Sequence, residues 1–260
     1  MIFTLSTELV FLSWYDLKWT ERMFLPFFTS NDMEEFRVAW RGQRFVRGFV
    51  GALRKELSNN FSDIIEKINE VDKKEREMII KYYVFMIMYG YVKDPIQDVI
   101  PRLLCAINEE ERKVFAQTVA YYLKVIPNDI KNTLWQKWLK NYWINRVRNI
   151  PIPLSADETE EMINWIFTLD EFYSEIVDIV TKMSIKKMPF GFYDSLEKKI
   201  EQEKNLNDTE KLVTFILQFK EELEGFEENK LRTYAQKIIQ TEGEHRGMQE
   251  ALLERGIDIR

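Results

Sequence analysis

Apolar residues recur at intervals of three to five positions along most of this chain, which is the spacing of one buried face of an α-helix. Phe36, Trp40, Phe45, Phe49 and Leu53 follow this spacing in the first quarter of the sequence. Alternation with a period of two, which half-buried strands show, is not sustained in the sequence. The pattern therefore predicts an all-α protein.

The expected helix starts carry a common local signal, in which Asn, Asp or Ser is followed three positions later by Glu. This spacing is typical of a capping box, where the two side chains satisfy backbone N–H groups of the first turn. It occurs at Asn31 with Glu34, Asp72 with Glu75, Asn108 with Glu111, Ser155 with Glu158, and Asn207 with Glu210. Together with the prolines, these signals predict helices near 7–18, 20–29, 32–42, 45–69, 73–90, 95–106, 109–125, 128–148, 156–182, 192–204, 208–223 and 227–253.

A pair of these helices occupies roughly 40 residues, the size of a HEAT-like unit. The sequence itself shows no repeat, so we expect an irregular HEAT-like helical-repeat solenoid. Aromatic residues become sparse after Leu196, where charged residues become frequent. We therefore expect an aromatic-rich helical-repeat region over residues 1–190 and a charged C-terminal helical cap over residues 191–260.

The first predicted helix is apolar around most of its circumference. Its apolar residues are Leu9, Val10, Phe11, Leu12, Trp14, Tyr15, Leu17 and Trp19. Such a helix is expected to be buried on more than one side, whereas a terminal repeat should present a polar outer face. We expect an upstream segment or a docked partner to cover it, which makes Trp14 and Trp19 candidate partner-binding residues.

A second aromatic segment lies between Leu134 and Leu154. One helical face of it carries Trp135, Trp138, Leu139, Tyr142, Trp143 and Arg146. The spacing favours a core in which Arg146 stacks on an aromatic ring. An exposed aromatic binding surface is the alternative, and it makes Trp138, Tyr142 and Arg146 further candidate partner-binding residues.

The net charge of −6 argues against a dedicated nucleic-acid-binding protein. Two segments, 37–55 and 131–148, are nevertheless locally basic and contain aromatic residues. They could contact phosphates and stack on bases, or they could be solvated helix faces that pair with acidic neighbours. The candidate phosphate-binding residues of this alternative are Arg41, Arg44, Arg47, Lys137 and Lys140.

The sequence carries no recognisable catalytic signature. With one His and one Cys, it lacks the residues for a His-based metal cage or an internal disulfide. His245 has no metal-ligating residue four positions away, Cys105 is expected to be inert core, and the acidic run at 157–161 is expected to cap a helix. We therefore expect no catalytic residues, no metal and no cofactor.

The compartment is predicted from what the sequence lacks. The apolar N-terminus has no Lys or Arg before Lys18 and no small-residue cleavage site, so it does not resemble a secretory signal. No run of about 18 apolar residues occurs in the sequence. We expect a cytoplasmic protein that does not interact with membranes.

Several of these aromatic and proline positions resemble a known family. They are Trp135, Trp138, Tyr142, Trp143 and Arg146, followed by Pro151, Pro153, Leu154 and the segment from Glu158 to Trp165. The early Leu25-Pro26-Phe27-Phe28 and the pair Trp40 and Gly42 also fit. Over roughly residues 14–220, the chain resembles a bacterial helical domain of unknown function found C-terminal to sirtuin-like NAD-hydrolysing domains in anti-phage defence proteins.

The resemblance implies a function that the residues alone do not. The chain would be a non-catalytic regulatory or sensing region of an anti-phage system, and any NAD hydrolysis would lie in a separate upstream domain. Its partners would be that effector domain or a phage protein, with a second copy of the chain as a further option. The alternative is a helical nucleic-acid-binding module that uses the two basic segments.

Overall fold

A computed structural model describes residues 1–46, 53–183, 185, 188–189, 191–203, 206–218, 225–241 and 243–257. These residues form α-helices, short 3-10 and π-helical turns and connecting loops, with no strand among them. The predicted all-α class is therefore confirmed, while the helical-repeat solenoid stays a prediction. The chain divides into two compact units, Met1–Pro153 and Leu154–Arg260. The compositional boundary expected at residue 190 falls inside the second unit.

The first unit begins with three short helices, followed by a π-helical turn (Thr20–Phe24) and a 3-10 turn (Leu25–Thr29). Its α-helices are α1 (Ile2–Thr7), α2 (Leu9–Tyr15), α3 (Leu17–Trp19), α4 (Met33–Gln43), α5 (Leu53–Asn59), α6 (Phe61–Glu66), α7 (Lys73–Met88), α8 (Ile100–Ala106), α9 (Glu109–Val125), α10 (Asn128–Leu134) and α11 (Lys140–Val147). A π-helical turn (Trp135–Leu139) joins α10 to α11, so the helix predicted over 128–148 is essentially continuous. Residues 47–52 of the helix predicted over 45–69 lie outside the described residues.

The second unit contains α12 (Ala156–Ile163), α13 (Tyr173–Val180), α14 (Phe192–Gln202), α15 (Asn207–Leu217), α16 (Gly225–Ile239) and α17 (Arg246–Glu254). Two long predicted helices are interrupted. The helix expected over 156–182 is broken by 3-10 turns at Ile166–Thr168 and Asp170–Phe172, and the one over 227–253 by a loop before Arg246. Helix α15 contacts α13, α16 and α17, which buries Leu212, Val213 and Ile216.

The capping signals predict the helix starts to within one residue, but several of the Glu side chains have other partners. At α9, Asn108 and Glu111 form a complete capping box. The cap of α4 is Asp32 and not Asn31, since Asp32 accepts from the backbone N–H groups of Glu34 and Glu35. At α7, Glu75 is buried and pairs with Arg44 at 3.2 Å. Local and tertiary interactions therefore compete for the same side chains.

Helices α1 and α4 approach each other unusually closely. A Cβ on Gly42 would lie 2.4 Å from Cβ of Ser6 and 2.8 Å from the carbonyl oxygen of Phe3, so only Gly fits at this crossing. The Ser6 hydroxyl donates to the Ala39 carbonyl at 2.6 Å, and the Gln43 amide donates to the Ser6 carbonyl at 2.8 Å. Tyr82 of α7 donates its hydroxyl to the Gln43 side-chain oxygen at 2.9 Å. This buried polar network fixes α1 against α4 and α7.

A partly buried pair of His245 and Glu210 ties together three helices of the second unit. His245, just before α17, lies with Nδ1 2.8 Å from the Glu210 carboxylate of α15 and Nε2 3.1 Å from the Thr241 carbonyl after α16. Because both neighbours are acceptors, both ring nitrogens donate only when the imidazole is protonated. The Glu210 carboxylate, and then the Thr241 carbonyl, raise the pKa of His245.

Replacing Gly42 by Ala should destabilise the first unit by about 2 kcal/mol or more, because the new methyl group overlaps Ser6 and the Phe3 backbone. Urea unfolding followed by circular dichroism measures the change. Gly247→Ala is the matched control, since its Cβ would meet no heavy atom within 4 Å, and it should be neutral or slightly stabilising. Equal stability of the two variants would contradict the close packing of α1 on α4.

The raised pKa of His245 predicts how the stability of the second unit depends on pH. The stabilisation is complete below the ordinary His pKa of about 6.5 and is lost as the pH rises through the raised folded-state pKa. Since the chain contains one His, NMR titration of the ring carbons measures this pKa without assignment. We expect a value above the ordinary one that returns toward it in Glu210→Gln, and a pKa unaffected by that change would rule out the pairing.

Candidate protein-interaction surface

Helix α2 exposes an apolar face. Val10, Phe11, Trp14 and Tyr15 fall within an arc of about 140°, at about 100° per helical residue. Trp14 is 92% exposed and Tyr15 is 85% exposed, while Leu9 is fully buried. Within this chain, one edge of α2 anchors the helix and the aromatic face points to solvent, so its cover by an upstream segment or a docked partner stays a prediction.

The apolar character continues beyond α2. Asp16 adopts an extended backbone and accepts from the Trp19 N–H at 2.9 Å, which starts α3. Thr20 is buried, and its hydroxyl donates to the Asp16 carbonyl at 2.8 Å. The two hydrogen bonds stabilise the turn between α2 and α3. We define the N-terminal apolar surface as the exposed residues Val10, Phe11, Trp14, Tyr15, Leu17, Trp19 and Met23.

Exposure of this many large apolar side chains in one short segment is uncommon. Single exposed apolar residues are normal on protein surfaces, whereas clustered ones mark interaction sites. The rings of Phe11 and Tyr15 stack with centroids 6.1 Å apart, so part of the surface is already ordered. Its neighbours Glu8, Lys18, Glu21 and Arg22 are exposed and charged. An apolar centre with a polar rim is the usual anatomy of a protein interface.

The second aromatic segment is core. Trp135, Trp138 and Trp143 are fully buried, and Tyr142 is 1% exposed. Tyr142 lies edge-on to Trp138 at 6.0 Å between centroids and also contacts Phe115 of α9 at 5.7 Å. The structure therefore confirms the core interpretation and corrects the partner-binding assignment of Trp138 and Tyr142, whose rings no partner can reach.

Arg146 is also buried, and its charge has a structural role. Its guanidinium donates to the carbonyls of Ile150 at 3.0 Å, Ile152 at 2.7 Å and Pro153 at 3.2 Å. A planar group with five N–H donors suits this task, because the segment after α11 turns back over the helix end and presents several carbonyls at once. The structure thus places Arg146 at the helix exit and not on a partner-binding surface.

Some basic side chains of the two candidate phosphate-binding segments form ion pairs with carboxylates, and others are exposed. Arg44 pairs with buried Glu75, and Arg37 pairs with Glu70 at 2.9 Å. Arg41 and Lys137 are exposed, and Lys140 is half-buried. Arg47 lies outside the described residues. Part of segment 37–55 therefore pairs with acidic residues near the start of α7, as expected for a solvated helix face.

Cys105 and the acidic run at 157–161, which the sequence also singled out, do not form a catalytic or metal site among the described residues. Cys105 is exposed, so the expectation that it belongs to the core is wrong. Ser155 caps α12 by accepting from the Glu158 N–H, and Asp157 and Glu158 of the acidic run lie in the first turn of that helix. Across the described residues, no three side chains among His, Cys, Asp and Glu are arranged to hold a metal ion. Every helix in the described part of the chain is too short or too polar to cross a membrane.

The described residues thus define an all-α protein with an exposed N-terminal apolar surface and a buried tryptophan cluster. Residues 86–233 match the family model described as "Domain of unknown function (DUF4020)", and since this is more than half of the chain, the protein belongs to that family. No curated protein and no solved structure matches the chain. The matched segment contains the tryptophan cluster and Arg146, and it begins after the N-terminal apolar surface.

Replacing Arg146 by Met should reduce the free energy of unfolding by about 3 kcal/mol or more, because three backbone carbonyls lose the charged donor that they share. Arg146→Lys should fall between wild type and Met, since one ammonium cannot reach three carbonyls in the same geometry. The exposed Arg148→Met is the control for loss of charge and should change stability by less than about 0.5 kcal/mol. Urea unfolding measures all three, and matching values for the two Met variants would contradict the structural role of Arg146.

Proposed function

We propose that this chain is a non-catalytic helical module that binds a protein partner through the N-terminal apolar surface. The observation that carries the proposal is the exposure of Trp14 and Tyr15 on a helix whose opposite edge is anchored by Leu9. Tyr and Trp are the residues most enriched at the energetic centres of interfaces. A partner that covers this surface removes several large apolar side chains from water at once.

The resemblance to the helical domain of anti-phage defence proteins suggests which partner the chain binds. We propose that the partner is a sirtuin-like NAD-hydrolysing effector in the cytoplasm, and that the chain is a regulatory region of an anti-phage defence system. Binding controls the effector only if the chain has different affinities for its resting and active states. A phage component that competes for the same surface would then release or assemble the effector.

The experiment uses the full chain and, as the candidate effector, a bacterial sirtuin-like NAD-hydrolysing protein. Complex formation is measured by isothermal titration calorimetry, and NAD hydrolysis by the effector is measured with and without the chain. Trp14→Ala/Tyr15→Ala should weaken binding at least about tenfold, because truncation of a central aromatic residue costs about 2 kcal/mol. The same variant should lose its effect on NAD hydrolysis.

Tyr121→Ala is the matched control, because Tyr121 is an exposed aromatic residue of α9 outside the N-terminal apolar surface. It should bind like wild type. The proposal fails if the double variant binds the effector with unchanged affinity, or if wild type neither binds the effector nor changes its activity.

A nucleic-acid-binding module remains the alternative. Its affinity would fall steeply between low and moderate salt, because phosphate contacts release counterions, whereas an apolar protein interface responds weakly to salt. Repeating the titration at two salt concentrations, with the effector and with a single-stranded oligonucleotide, separates the two functions.

A further inference from the structure

A cavity of about 520 Å³ lies in the first unit, between the end of α4, one face of α7 and Tyr122 of α9. This volume is within the range of small-molecule sites, about 300–1,000 Å³. The cavity is separate from the N-terminal apolar surface, and the proposed function does not use it.

Part of the cavity wall is basic. Arg44, Lys74 and Lys81 line it, and its described lining residues include no Asp or Glu. Lys74 and Lys81 are exposed and have no carboxylate partner among the described residues. In a chain of net charge −6, such a local excess of positive charge favours an anionic ligand.

Arg44 is held in position by an ion pair with Glu75. Its guanidinium lies 3.2 Å from the Glu75 carboxylate, and Glu75 is 1% exposed. The second Glu75 carboxylate oxygen is buried without a hydrogen-bond partner among the described residues, so Arg44 is its main electrostatic partner. This pairing fixes one nitrogen of Arg44 and leaves its other N–H groups to serve as donors at the cavity.

Another part of the cavity wall is aromatic. Tyr82, Phe85 and Tyr122 line it, and the rings of Phe85 and Tyr122 lie 6.0 Å apart between centroids. Tyr82 is held by its hydrogen bond to Gln43 and by an edge contact with Trp40 at 5.9 Å. The Tyr122 phenol is neutral at pH 7 and adds no negative charge to the wall, and burial raises its pKa further from neutrality. A planar ring can pack on this wall.

We infer that this cavity binds a small anion of the nucleoside phosphate class, with the phosphate near Lys74, Lys81 and Arg44 and the planar base against Phe85 and Tyr122. Lys74 and Lys81 are two helical turns apart on α7, about 10.5 Å along the axis. Two extended lysine side chains can therefore converge on one phosphate group. The same cavity therefore offers cationic groups to the phosphate and aromatic rings to the base of such a ligand.

The test compares three probes by calorimetry on the full chain at fixed salt. Adenosine monophosphate carries both the ring and the anion, adenosine lacks the anion, and inorganic phosphate lacks the ring. We expect the monophosphate to bind at least about tenfold more tightly than either fragment, because the two contacts act together. Lys74→Ala/Lys81→Ala should weaken monophosphate binding at least about tenfold and leave adenosine binding unchanged.

Lys93→Ala/Lys124→Ala is the control pair, since it removes the same charge from two exposed lysines outside the cavity lining. It should leave monophosphate binding unchanged. Tyr122→Leu tests the aromatic wall and should weaken binding of both the monophosphate and adenosine. Circular dichroism of each variant shows that the fold is retained.

Four results would overturn the inference. The first is no monophosphate binding at millimolar concentration. The second is equal binding of monophosphate and inorganic phosphate. The third is equal loss in the two lysine double variants. The fourth is an oligonucleotide that binds the same lysines more tightly than the monophosphate, which would assign them to a nucleic-acid surface.

Discussion

The close crossing of α1 and α4 is the constraint on which the features of the first unit depend. Gly42 lets Ser6 approach the α4 backbone, and Gln43 then satisfies the Ser6 carbonyl and accepts from Tyr82. The same contacts have two consequences. They fix the position from which α2 leaves α1, and they place Gln43 and Tyr82 in the wall of the cavity beside α7. One buried polar network therefore supports both proposed sites.

The exposed aromatic face of α2 has a clear physical cost for an isolated chain. Large apolar side chains that stay in water contribute nothing to folding and promote self-association. The segment is nevertheless well anchored, since Leu9 is fully buried and Asp16 and Thr20 order the turn that follows. An ordered apolar surface loses less conformational entropy on binding than a disordered one. These properties suit a surface that is covered by a partner when the protein works.

Local sequence signals predicted the helices well, and tertiary interactions explain most of the differences. The spacing predicted α9 correctly, and the tryptophans of the second aromatic segment are core, as their helical positions indicated. The spacing could not show that Glu75 and Glu210 pair with Arg44 and His245, because those partners are more than 30 residues away in the sequence.

The two apolar segments show that the spacing of aromatic residues alone does not predict their burial. Both α2 and the helix around Trp138 carry aromatic residues at similar spacing, yet one faces solvent and the other is buried. Periodicity reports which residues share a face, but not whether another element covers that face. The cavity could not be predicted from the sequence either, because Arg44, Lys74 and Tyr122 come from three separate parts of the chain and share no sequence motif.

We propose that the N-terminal apolar surface is open in the free chain and covered in the complex. Hydroxyl-radical footprinting with mass spectrometry measures this directly, because it reports the solvent accessibility of individual aromatic side chains. We expect rapid oxidation of Trp14 and Tyr15 and slow oxidation of Trp135 and Trp138 in the free chain, with Trp14 and Tyr15 protected once the effector is added. Protection of Trp14 in the free chain, or unchanged oxidation in the complex, would contradict it.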